Sequence, residues 1–119
     1  MGKIIFICTV FTLYIYADGA AINEKMLQNN CLACHQKQQI PSSLIYKRYL
    51  MKYSTKSKME EAIFKYLKNP KKKNSIMPPQ FFLKFPMKEK MMLDDAILRR
   101  QIKAYLEKFD VRKYLKVKQ

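Results

Sequence analysis

Residues 31–35 read Cys31-Leu32-Ala33-Cys34-His35, and this stretch constrains the chain more tightly than any other. Cysteines three positions apart lie on one side of a helical turn, so both thiols can reach along one edge of a planar group. His35 directly follows the second thiol and can present an imidazole nitrogen beside it. A haem bonded through its vinyl groups to Cys31 and Cys34, with its iron on His35, uses every one of these residues. Other readings use fewer. A Cys31–Cys34 disulfide needs only the thiols and an oxidising compartment. A thiol–disulfide active site needs a thioredoxin-type sheet, and no segment of the chain alternates as a strand. Zinc needs about four ligands, whereas the chain beyond residue 17 holds only Cys31, Cys34 and His35 of the histidines and cysteines.

Upstream, residues 1–17 have the layout of a secretory signal peptide: Lys3, an apolar run from Ile4 to Tyr16, and the small Ala17 before Asp18. The run is short of the roughly 20 residues of a spanning helix, so cleavage after Ala17 is expected, with an uncleaved anchor as the competing reading. Cys8 leaves with this segment. Cys31 and Cys34 remain, and an exported chain with one close cysteine pair generally has a specific use for it. The chain of 119 residues holds 24 Lys+Arg against 9 Asp+Glu; losing Lys3 leaves 23 against 9, or +14. Such a field favours acidic partners, although part of it reflects a general richness in Lys, Ile, Asn, Tyr and Phe.

Downstream, the apolar periodicity is helical throughout. A helix is expected over 18–30, with Asp18 as its cap and Ile22, Met26 and Leu27 on one face. Pro41, Ser42 and Ser43 open a second helix with Leu44, Ile45, Tyr49 and Tyr53 as its stripe. Ser57 and Glu60 have the spacing of a capping box for a third helix, which carries Met59, Ala62, Ile63, Tyr66 and Leu67 and stops at Asn69-Pro70. Residues 70–80, PKKKNSIMPPQ, read as irregular. Asp94 and Asp95 suit the start of a last helix bearing Leu98, Ile102, Tyr105, Leu106 and Phe109. The expected fold is therefore all-α, about four helices joined by one long proline-rich loop. The domain spans 18–110, and a basic tail covers 111–119.

An iron held by His35 has a second axial position. No other histidine exists, so a methionine sulfur is the natural candidate. After Met1 there are seven methionines: Met26, Met51, Met59, Met77, Met87, Met91 and Met92. Met59 falls on a helical stripe and reads as core. Met87, Met91 and Met92 fit as gap-fillers under the last helix. Met77 differs, because Pro78-Pro79 stiffens the loop directly after it.

Taken in order, CLACH at 31–35, Pro41, YLKNP at 66–70, SIMPPQ at 75–80 and IKAYLEKF at 102–109 resemble the class I cytochromes c. The resemblance covers about residues 20–110. It departs from the family in having Ile40 where a glycine often precedes Pro41, and Asn23 where a small residue is usual. What it implies is a cytochrome c-like bundle around one covalently attached haem c, with Cys31 and Cys34 as attachment points and His35 and Met77 as axial ligands. In that family the carbonyl at Pro41 orients the proximal histidine, and the aromatic at Tyr105 packs on the first helix.

Filled axial positions leave no place for a substrate, so the expected function is that of an exported, periplasmic one-electron carrier and not an enzyme. Leu44, Ile63, Leu67, Phe81 and Phe82 would wall the porphyrin. Lys37, Lys71, Lys72 and Lys73 could steer an acidic redox partner such as a membrane oxidase, a reductase or a peroxidase. The protein is expected to be monomeric and to meet a membrane only if residues 1–17 are retained. Nucleic acid is disfavoured, because the aromatics follow core spacing and form no exposed stacking stripe. The alternative is a haem-c subunit or sensor docked on a larger membrane oxidoreductase.

Overall fold

The computed structural model describes residues 23–115. The leader, its cleavage after Ala17, the Asp18 cap and the tail beyond 115 lie outside the described residues.

The first helix, α1, runs over residues 23–37 without a break at the cysteines. It changes pitch in the middle: a π-helical turn, Gln28–Leu32, separates residues 23–27 from the α-helical Ala33–Lys37. The Ala33 N–H donates to the Gln28 carbonyl, five residues back. Residues five apart diverge by about 140° on an α-helix, whereas five-residue bonding brings them back to one side. Leu27 and Leu32 are accordingly both buried. Cys31, inside the turn, is half-buried against the same core.

The end of α1 is a two-bond cap. Ile40 N–H donates to the His35 carbonyl at 3.2 Å, and Gln39 N–H to the Gln36 carbonyl at 3.1 Å. This pattern requires a left-handed residue, and Gln39 supplies it with φ 56°. Pro41 follows at once and caps α2, Ser42–Tyr53. Its carbonyl accepts the Leu44 and Ile45 N–H groups at 3.0 and 3.3 Å. The buried stripe of α2 is Ile45, Tyr46 and Tyr49. Leu44, expected there, is exposed, because Tyr46 takes the inner position.

The third helix, α3, spans Lys56–Lys68. Its cap is Thr55 rather than Ser57: the Thr55 Oγ1 accepts the Lys58 N–H at 3.4 Å, so the Ser57/Glu60 capping box is not formed. Met59 and Ile63 are buried, and the helix stops at Asn69 before Pro70. The following loop contains a 3₁₀ turn, Lys72–Asn74, and a short helix, α4, Phe81–Lys84. The last helix, α5, spans Asp95–Lys108, with Asp94 Oδ2 accepting the Ala96 N–H at 3.1 Å.

Antiparallel packing of α3 on α5 makes the centre of the fold. Met59 and Leu98 are 0 % exposed and Leu106 1 %, each worth about 1.5–3 kcal/mol of burial. Lys56–Glu107, Glu61–Arg99 and Lys68–Asp95 pair along the seam at 3.2, 2.5 and 2.6 Å. A further pair, Glu24 with Lys108, ties α1 to α5. These exposed pairs contribute about 0–1 kcal/mol each and fix alignment more than stability. The start of the expected tail is ordered as a 3₁₀ turn, Val111–Tyr114, resting against α2. Among the described residues the chain is all-α with no strand. No helix among them is long and apolar enough to cross a membrane.

Candidate functional site

Beside this bundle, α1, α2, α3, the loop and α5 enclose a cleft of about 920 Å³, counting its open mouth. Cys31, Cys34, His35 and Met77 all line it. These residues come from two distant parts of the chain, the end of α1 and the proline-rich loop.

On the α1 side, Cys31 and Cys34 are free thiols, the first half-buried and the second exposed. Burial pushes the Cys31 thiol up to about 11, opposed by the charge of Lys88. His35 is shifted down, first by burial and then by Lys88. Its imidazole is therefore neutral near pH 7, the form that binds a metal. Nδ1 lies 3.4 Å from Ser42 Oγ and 3.3 Å from Tyr105 Oη. With Nδ1 engaged, Nε2 is the nitrogen left for a ligand. The Pro41 carbonyl, the expected partner of His35, is instead taken up by the backbone N–H groups at the start of α2. Tyr105 packs edge-on against the His35 ring, with centroids 5.6 Å apart.

On the loop side, several contacts hold Met77. Its N–H donates to Ser75 Oγ at 3.1 Å, and Ser75 is buried. Asn74 Nδ2 donates to the Asn69 carbonyl at 3.0 Å. Beyond Met77, the carbonyls of Pro78 and Pro79 accept the N–H groups of Phe81 and Phe82 at 3.0 and 3.1 Å. The Met91 N–H donates to the Leu67 carbonyl at 2.9 Å and returns the loop to α3. A thioether here is a soft, neutral donor held on constrained backbone.

The other methionines separate clearly. Met87 does not line the cleft and accepts a contact from Tyr66 Oη at 3.8 Å. Met92 is exposed, so it does not pack under α5 as expected. Met91 lines the cleft with Met77. Among the expected wall residues, Ile63, Leu67 and Phe81 line the cleft, whereas Leu44 and Phe82 do not. Ile45 and Ile76 supply apolar surface in their place.

Three features of the site have little or no local signal in the sequence. Lys88 is the cationic side chain lining the cleft, and burial lowers its affinity for a proton. Lys37, Lys71, Lys72 and Lys73 are exposed outside it. Ser42 sits seven residues from His35, and Tyr105 is 70 residues away.

Cys31, Cys34, His35 and Met77 thus share one cleft whose other lining is mainly aliphatic and aromatic. No family model, curated protein or solved structure matches the chain.

Proposed function

We propose that this chain is a monohaem c-type cytochrome that carries single electrons between redox partners. The observation that carries the reading is the convergence of Cys31, Cys34, His35 and Met77 on one apolar cleft, although 42 positions separate His35 from Met77 in the sequence. Cys31 and Cys34 would form the two thioether bonds, with His35 Nε2 and Met77 Sδ as axial ligands. The haem iron supplies a one-electron couple when bound. The chain supplies the rest. Ile45, Ile63, Ile76 and Phe81 exclude water from the porphyrin faces, which favours the less charged reduced state. With His35 and Met77 both holding the iron, the protein would leave no place for a substrate, so the site would suit electron transfer, and the protein is not an enzyme in this reading.

The net charge of +14 left after loss of Lys3 with residues 1–17 fits brief, salt-sensitive encounters with acidic partner proteins. Residues 1–17 fit export to the periplasm, where the chain would act as a monomer.

The test is a spectroelectrochemical titration of the haem-loaded chain, with and without carbon monoxide. A reversible one-electron transition and a reduced spectrum unchanged by carbon monoxide are expected. A prompt shift with carbon monoxide would overturn the carrier reading and point to an open iron position, as in a gas sensor.

A further inference from the structure

His35 is gripped from behind by hydroxyls from two different helices. Ser42 Oγ is the first side chain of α2, placed by the fixed backbone of Pro41. Tyr105 Oη projects from α5, and its ring is held between His35 and Phe109, with centroids 5.6 and 5.0 Å away. Tyr105 is 5 % exposed. Its hydroxyl can both accept and donate a hydrogen bond.

The Pro41 carbonyl accepts two N–H groups, at 3.0 and 3.3 Å, which fills its two lone pairs. An imidazole that ligates through Nε2 carries its proton on Nδ1. That single N–H then faces two hydroxyl oxygens at 3.3 and 3.4 Å. Both distances lie just beyond the usual range of about 2.7–3.2 Å, so each is a weak contact when one hydrogen is shared between them. A hydroxyl is also a weaker acceptor than a backbone carbonyl. The arrangement fixes the ring on two sides, yet draws little on the Nδ1 proton, so the imidazole stays a modest electron donor to whatever Nε2 binds.

We infer that Ser42 and Tyr105 act together as positioning residues for His35, a paired hydroxyl clamp that orients the imidazole and sets its electron donation to the bound metal. This rests on the haem reading above. Tyr105 thereby does more than pack α5 against α1: its hydroxyl links the last helix directly to the ligand on the first.

The experiment uses the haem-loaded protein and the variants Tyr105→Phe, Ser42→Ala and the double substitution. The readouts are midpoint potential and exchange of the His35 Nδ1 proton by NMR. Tyr105→Phe retains the ring contacts and removes only the oxygen. Loss of either acceptor weakens donation by His35 and raises the potential. The equilibrium with a one-electron mediator should shift about threefold toward reduced haem per hydroxyl, equivalent to ~30 mV at 59 mV per tenfold. The Nδ1 proton should exchange faster, most of all in the double variant, and Ser42→Thr, which restores a hydroxyl, should return both readouts toward wild type. Unchanged potential and exchange in the double variant, with haem attached, would overturn the inference while leaving the proposed function intact. A lower potential would overturn it as well. Should Tyr105→Phe fail to fold, Ser42→Ala and Ser42→Thr decide the matter alone. Absence of covalent haem in the wild-type protein, visible before any variant is compared, would overturn the proposed function and this inference with it.

Discussion

The α3–α5 seam and the loop from 70 to 94 are built on different principles. The seam is dry and self-sufficient: Met59 and Leu98 are fully buried, both helices are capped, and three ion pairs align them. The loop has few backbone bonds to the rest of the molecule, notably that from Met91 to Leu67. Its inward side chains Ile76, Met77 and Phe81 are half-buried around a cleft and do not interlock in a core. The seam is stabilised by its own packing, whereas the loop borders an open cleft. A bound group should therefore stabilise the loop far more than the seam.

The largest effect expected at the seam is from Leu98→Ala. It leaves a cavity where no side chain can follow and should cost about 3 kcal/mol in urea unfolding. Ile76→Ala, at the cleft, should cost less than about half as much, because that side chain is only partly buried. Equal costs would break the distinction between the two regions. Next in size, Asp94→Ala removes the α5 cap and should cost about 1 kcal/mol. Smaller still, Gln39→Gly should stabilise the protein by about 0.5 kcal/mol, since Gln39 occupies a left-handed position that glycine adopts freely.

Amide hydrogen exchange sharpens the same comparison. Protection should be greatest in α3 and α5 and lowest across 70–94, and loading the cleft should slow exchange mainly in the loop. Uniform slowing would contradict the contrast.

The smallest expected effect is a pH dependence at the C-terminal turn. The Arg112 guanidinium, followed by the Arg112 backbone N–H, holds the Asp110 carboxyl well below the usual carboxylate range. A depressed carboxylate stabilises the fold at pH values above its unfolded value of about 3.9, and this contribution fades as pH falls below about 4. The stability difference between wild type and Arg112→Ala should be constant from pH 5 to 7 and shrink below pH 4.

The helices and the residues that meet at the cleft were legible in the sequence because they rest on local signals. Apolar spacing marks α3 and α5, Asn69-Pro70 marks a stop, and CLACH with IMPP marks residues that line the cleft. Features that depend on tertiary choice were not legible. The π turn at Gln28–Leu32 arises because Leu27 and Leu32 must bury together while His35 turns to the cleft. Thr55 displaces Ser57 as cap because the preceding Ser54 adopts φ 64° and starts the helix early. Tyr46 displaces Leu44 in the core, and the loss of Pro41's carbonyl to α2 hands His35 to two hydroxyls. Each of these is a competition between neighbours, which residue pattern alone does not resolve.

The central claim is covalent haem on Cys31 and Cys34. It is tested most directly by expressing the full chain beside a cytochrome c maturation system, extracting with acid–acetone, and recording the alkaline pyridine haemochrome. A c-type spectrum that stays with the protein and is lost in the Cys31→Ala, Cys34→Ala double variant is the expected result. A wild-type chain that emerges from the same maturation system without bound haem would contradict the account.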